Sequence, residues 1–173
     1  MCRVLGHQNR SGFGLSGFTL VELIIIMVVI GIIAGVAMPR FFQRSTFEAR
    51  GFYDEAQAAL RYAQKQAMAQ RRPVAVGIDA GSATITLCYN APPPCGAGNP
   101  AVLHPATSAA YVVAPRATTP ITLAGPNFIF SGSGQPNTVA ASTIDITGDG
   151  TTRRICVAAV TGYVYTRTPP AVC

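Results

Sequence analysis

Acid is scarce in this chain. Seven Asp and Glu stand against 13 Lys and Arg, a formal charge of +6, and charged residues of both signs make up only 12%. An excess that small, spread over the whole length, does not by itself argue for nucleic-acid binding. Histidine is scarcer still, at two, a thin basis for a catalytic triad, and Ser133 between Gly132 and Gly134 is not a Gly-x-Ser-x-Gly elbow. There is no His-Glu-x-x-His, no phosphate loop and no Cys-x-x-Cys, which excludes the usual metalloprotease, nucleotide and zinc-ribbon chemistries. Asp145, Asp149 and Gly150 take positions 1, 5 and 6 of an EF-hand-like loop, but position 3 is Thr147 and position 12 is Cys156. The bidentate acid is therefore missing, and a hairpin turn is the better reading. No catalytic residue, metal or cofactor is assigned, and the chain reads as a non-enzyme.

What the sequence has in plenty is apolar residues, and they are concentrated. The run from Phe18 to Met38 carries a single charge, Glu22. As an α-helix it extends about 32 Å, enough for a hydrocarbon core of about 30 Å. A carboxylate inside such a run is costly and marks a functional residue; the plain alternative is a helix-end charge at the headgroups. A secretory signal peptide is cut after its apolar region. Here a polar leader, Met1 to Gly17 with Arg3 and Arg10, comes first, so a cut between Gly17 and Phe18 would leave the apolar helix on the mature protein.

Gly17, Phe18, Thr19, Leu20, Val21, Glu22 and Leu23 in that order, behind a short basic leader, resemble the type IV prepilins and type II secretion pseudopilins. The resemblance implies that a prepilin peptidase cuts after Gly17 and methylates the amino group of Phe18. It implies that Glu22 meets the terminal amine of a neighbouring subunit, a pair that a low-dielectric bundle tolerates better than either charge alone. Gly31 and Gly35 form a Gly-x-x-x-Gly pair that permits close helix approach. Pro39 should kink or loosen the helix at its exit, as a proline near this place does in the resembled family.

Past Arg40 the pattern stays helical but turns amphipathic. Phe52, Ala56, Ala59, Leu60, Ala63 and Ala67 recur at spacings of three and four, with Arg50, Asp54, Arg61, Lys65 and Arg71 off that stripe. One helix of about 50 residues is predicted, with Gly51 a soft point and Pro73 its end. Alternation then predicts strands over 74–79, 84–89, 111–114, 121–124, 128–130, 143–147, 153–159 and 163–166, with a proline-rich loop over 90–105 and a hairpin about Gly148-Asp149-Gly150. The domains expected are a leader at 1–17, a transmembrane or filament-core helix at 18–39, its amphipathic continuation at 40–72 and a periplasmic β-rich head at 73–173. The fold class is α+β, a long N-terminal helix packed on a C-terminal antiparallel sheet, pilin-like. Arg71-Arg72-Pro73-Val74, Phe130 with Gly134-x-Pro136, and Gly162-Tyr163-Val164 resemble the minor pilins of the H-type pseudopilin, FimT-like and MSHA groups. Residues 39–51 look closest to the MSHA minor pilins.

Four cysteines remain beyond the leader's Cys2: Cys88, Cys95, Cys156 and Cys173. An even number in an exported domain reads as disulfides with three possible connectivities, of which sequence proximity favours Cys88–Cys95 and Cys156–Cys173. Arginines flank both ends of the apolar run, so charge alone does not orient it. The cysteines and the resemblance put the C-terminal part in the periplasm, with one pass through a bacterial inner membrane and incorporation into a pilus or pseudopilus. The partners implied are the prepilin peptidase, other pilin or pseudopilin subunits and the inner membrane. An alternative is a filament-displayed DNA-binding subunit, since some FimT-like minor pilins bind DNA through C-terminal arginines. Arg153, Arg154 and Arg167, with Tyr163 and Tyr165 between, are the residues concerned, although the Gly-Arg-x-Arg pattern of those members is absent and paired strand arginines commonly form a solvated face.

Overall fold

The computed structural model describes residues 18–41, 44–92, 94–96, 98–116 and 120–173, with the backbone alone for 36–41 and 44–45. Two compact units result, 1–42 and 43–173. In the first, helix α1 spans Leu20–Phe41. Its start is set by Thr19, whose Oγ1 accepts the Glu22 amide at 3.2 Å. Thr19 is thus the N-cap and Glu22 the third helical residue, the spacing of a capping box. Gly17 and the leader lie outside the described residues. Among the described residues no helix is long and apolar enough to cross a membrane. The part of α1 with described side chains, 20–35, extends about 24 Å, against a hydrocarbon core of about 30 Å.

The second unit opens with α2, Arg44–Gln70. The predicted stripe is its buried face, and Ala49 extends it by one turn: Ala49, Phe52, Ala56, Ala59, Leu60, Ala63 and Ala67 are all buried. Residues 42 and 43, between α1 and α2, lie outside the description, so the single long helix expected is not addressed. α2 passes through Gly51 without interruption. It stops at Gln70, short of the expected Pro73, because Arg71 turns into the left-handed region (φ 49°). The Arg72 amide then donates to Ala67 O at 3.2 Å and the Arg71 amide to Met68 O at 3.4 Å, a Schellman cap with a non-glycine at its turning point. Pro73 contributes indirectly, since the residue before a proline is disfavoured in the helical region.

The strands are β1 (Val74–Asp79), β2 (Thr84–Tyr89), β3 (Val112–Val113), β4 (Ile121–Ala124), β5 (Phe128–Phe130), β6 (Ser142–Gly148), β7 (Thr151–Val157) and β8 (Val164–Arg167). The single sheet expected is corrected to two, each of four antiparallel strands, ordered β3-β2-β1-β5 and β4-β6-β7-β8. The division falls at Gly125-Pro126-Asn127, between β4 in one sheet and β5 in the other. The Asn127 side chain takes the Ile78 amide at 2.7 Å, one step past the last β1–β5 register pairs, so a side chain replaces the ladder there. A Cβ on Gly125 would sit 3.1 Å from Ile78 Cδ1 and from Thr143 O, one contact in each sheet. Facing residues of both sheets and α2 share one core that includes Phe128, Phe130, Leu87, Ile144 and Ile155.

Backbone comes very close to α2, at Ala49 on its alanine-rich face and at its C-terminal end. Gly148 packs on Ala49, Gly132 on the Arg71 backbone and Gly134 on Met68, each where a Cβ would approach to 2.8 Å. Gly162 lies against Gly134 O with φ 68°. Gln64 closes this corner, its Nε2 donating to Gly134 O at 3.2 Å and Thr161 O at 2.9 Å. Gly150 has a similar φ of 69°, but open space around it. Gly150→Ala is therefore expected to cost about 1–2 kcal/mol, the left-handed penalty alone. Gly162→Ala adds an overlap with fixed backbone and should cost a further 1–3 kcal/mol or so. Urea unfolding of both variants checks this, and equal midpoints would mean that the corner has slack.

Candidate functional site

Of the predicted processing and assembly residues, Phe18, Glu22, Gly31 and Gly35 lie in the described part of the first unit, and all are solvent-exposed. The large apolar side chains from Phe18 to Ile33 are between 44% and 75% exposed. Gly31 and Gly35 have open space where a Cβ would stand. Pro39 lies within α1, which continues to Phe41, and its side chain is outside the description. A bare helix with an apolar surface all round is a surface that lipid or like helices would cover.

The four cysteines form two disulfides, Cys88–Cys95 and Cys156–Cys173, the pairing that proximity favours. The first closes the proline loop. That loop returns to β2 through Tyr89 N–H on Pro100 O (2.9 Å) and Val102 N–H on Leu87 O (2.9 Å). Asn99 steadies its tip, donating to Pro94 O at 3.0 Å. The second fixes the chain end to β7, and Arg154 Nη1 reinforces it by donating to Ala171 O at 2.9 Å.

The three C-terminal arginines do not form one cationic surface. Register pairs Arg154 with Asp145 on one side and Arg167 on the other, so these three share the sheet face away from the core. Arg153 pairs in register with Ile146, on the helix-facing side. Arg154 is committed: its Nε and Nη2 reach Asp145 Oδ1 and Oδ2, each at 2.7 Å, a bidentate pair. Hydrogen bonding to the Asp145 carboxylate raises the Arg154 pKa above its usual value. Tyr163 and Tyr165 stack at 6.0 Å, and Arg167 lies 5.8 Å from the Tyr165 ring.

Sequence reasoning missed two constellations. On the first sheet's side, Tyr111 stacks on Tyr62 at 5.2 Å and meets the His104 ring at 4.8 Å with a tilt of 43°, and burial raises the Tyr111 phenol pKa. At the far end of β7 and β8, Tyr53, Arg153, Thr166, Arg167 and Thr168 line a cavity of about 300 Å³ with Thr151 and Thr152. Burial, the largest influence, raises the Tyr53 phenol pKa, and its Oη donates to Arg154 O at 3.3 Å. Among the described residues no group of His, Cys, Asp and Glu is placed to hold a metal ion.

The profile of the family described as Type II transport protein GspH matches residues 54–161, more than half of the chain. No curated protein matches the chain by sequence. Among solved structures, the type IV minor pilin FimU of Pseudomonas aeruginosa PAO1 is similar at 16% identity, covering 75% of this chain and 95% of that one, with a TM-score of 0.50. The minor pseudopilin EpsH from the Type 2 Secretion System of Vibrio cholerae is similar at 14% identity, over 73% of this chain and 98% of that one, with a TM-score of 0.49. At such identities the likeness to FimU speaks for the fold.

The two disulfides differ in the chain they close, with sequence separations of 7 and 17. Loop entropy then gives about 2.5 kcal/mol for Cys88–Cys95 and about 3 kcal/mol for Cys156–Cys173. Paired Cys→Ala variants, compared in urea, should lose stability in that order. An unchanged midpoint for the Cys156/Cys173 variant would mean that Arg154 alone holds the tail.

Proposed function

We propose that this chain, which belongs to the GspH family of type II transport proteins, is a minor pilin or pseudopilin subunit. In this reading it is cut between Gly17 and Phe18, N-methylated on Phe18 and carried through the inner membrane once. It enters a type IV pilus of MSHA-like kind or a type II secretion pseudopilus, beside other subunits of that class. The observation that supports this best is the exposed apolar helix α1, joined in sequence to a head that buries its own core. Every residue of that core lies at or beyond Ala49, so α1 contributes none of it.

Glu22 has two duties in this reading. Locally it completes the Thr19 capping-box spacing. In an assembly its carboxylate neutralises the amine that cleavage creates on a neighbouring Phe18. The reading assigns Gly31 and Gly35 to close helix approach, and Pro39 to softening of the helix on assembly.

Two measurements test this. Intact mass from native membranes is expected to begin at a methylated Phe18 and to rise by four hydrogens on reduction, two for each disulfide. A chain that retains Met1 to Gly17 would remove the filament assignment. Glu22→Gln keeps a hydrogen-bonding side chain at the third helical position but deletes the charge. Incorporation into filaments should fall as far for Glu22→Gln as for Glu22→Ala, with membrane insertion intact. Normal incorporation of the glutamine variant would leave Glu22 with a capping role alone.

A further inference from the structure

The first sheet carries a cavity of about 560 Å³. Val76, Ile85 and Leu87 point into the core, so alternation turns Gly77, Asp79, Thr84 and Thr86 to the opposite face. Register sets Asp79 beside Thr84 and Gly77 beside Thr86, and all four line the cavity. A second wall is apolar, made of Pro94, Cys95, Ala101 and Ala110. Cys88 of β2 fixes that wall, through its disulfide to Cys95 and its bridge to Ala101. Cys88 lies four residues along β2 from Thr84, so the Asp79 row and the disulfide row are about 13 Å apart. The cavity thus has a carboxylate at one end and apolar surface towards the other.

Asp79 is the only acid between Glu55 and Asp145, and among the described residues no Lys, Arg or His lines the cavity with it. It forms no ion pair among those residues, in a chain where 13 bases face 7 acids. Ser82 Oγ donates to Asp79 Oδ2 at 2.7 Å and the Gly81 amide to Oδ1 at 2.8 Å, and these bonds hold the carboxyl pKa below its usual value. Ser82 has a single hydroxyl hydrogen, so in its 2.8 Å contact with Thr84 Oγ1 the donor is Thr84. That leaves the Thr84 lone pairs, and one acceptor site on each Asp79 oxygen, open side by side. From this geometry we infer that the cavity is a binding site for a primary alkylammonium, its charged end at Asp79 and Thr84 and its stem along the apolar wall. An ammonium brings three donors and no acceptor, the complement of these groups. Asp79 is exposed, and an exposed ion pair contributes little by itself. The wall therefore supplies most of the affinity, and the carboxylate selects the charge. The site belongs to the head alone and does not rest on the filament reading.

The test titrates the full chain in detergent with n-butylammonium chloride at low salt and follows backbone amide shifts. Saturable shifts of Asp79, Thr84 and Ala101 are expected, with Arg153 and Tyr165 on the other sheet unmoved. Ethylammonium lacks two methylenes that the wall would cover and should bind about fivefold more weakly. Butyrate should not bind, and 1-butanol should bind more weakly than n-butylammonium. Asp79→Asn keeps a side-chain oxygen for the Gly81 amide but deletes the charge, and should weaken n-butylammonium about three- to fivefold. Should that variant lose the turn, Thr84→Val leaves the carboxylate and its Ser82 bond in place and should still weaken binding about twofold. Nα-acetyl-lysine methylamide separates the sources. Binding as tight as n-butylammonium means that the site takes a lysine side chain of a polypeptide, and loss of binding means that it takes a free amine. Shifts that do not saturate, equal affinity for the ethyl and butyl amines, 1-butanol as tight as n-butylammonium, or full affinity in both variants would overturn the site.

Discussion

The head depends on one helix face made mostly of alanine. A side chain that ends at Cβ leaves the helix backbone within reach of whatever packs on it, so sheets and loops come close. At the closest point on this face the partner is a glycine for the same reason, Gly148 against Ala49. Larger residues on either side would force the layers apart and open voids around Phe128 and Phe130, which the present spacing buries fully. Gln64 then becomes explicable as a polar residue at the edge of the stripe. It donates to two loop carbonyls, of which that of Gly134 is partly buried by the close approach.

The same spacing makes sense of residues that in sequence were only a resemblance. Gly134 and Gly162 are 28 positions apart and carry no periodic signal, yet they meet at Gln64. The pattern Gly134-x-Pro136 and the Gly162-Tyr163-Val164 step are thus two halves of one packing corner. Arg71 shows the opposite case, a residue whose identity says little. Its left-handed turn is held by the carbonyls of Ala67 and Met68, which accept the Arg72 and Arg71 amides.

Local patterns carried much of the fold: helix period, strand alternation and the turn at Asp149-Gly150 stood in the sequence. That turn has positive φ at both residues, the condition for a type I′ hairpin, and so it fixes register by counting outward. Counting pairs Gly148 with Thr151 and, three steps on, Asp145 with Arg154. The ion pair was therefore legible, and with it the split of Arg153 from Arg154 across the sheet, but Asp145 was weighed as a calcium ligand instead. What was not legible is the division into two sheets. It turns on Asn127 reaching Ile78, 49 residues away, and on room for Gly125 between strands of both sheets, and neither leaves a periodic trace. The cavity at Tyr53 has the same origin, because it joins α2 to strand ends about 100 residues later.

The two units divide the chain's physical chemistry between them. The head buries its apolar residues on itself and locks its loop and its end with disulfides, as suits an oxidising compartment. α1 buries nothing of its own: its exposed Leu, Ile, Val and Met side chains represent a large unfavourable area in water. Any environment that removes this area from water also surrounds Glu22, the one charge between Phe18 and Met38, with low dielectric. Alone there, the carboxylate would be strongly disfavoured; paired, it is tolerated. The proposed cleavage after Gly17 supplies a cation at the edge of that surface, on Phe18, only four residues from Glu22. Within one chain the helix carries the carboxylate away from its own terminus by one turn, about 6 Å, while a staggered neighbour meets it directly. On this reading the charge that penalises an isolated helix in a membrane is what sets the register between subunits, and uncut chains, lacking the amine, lack the partner.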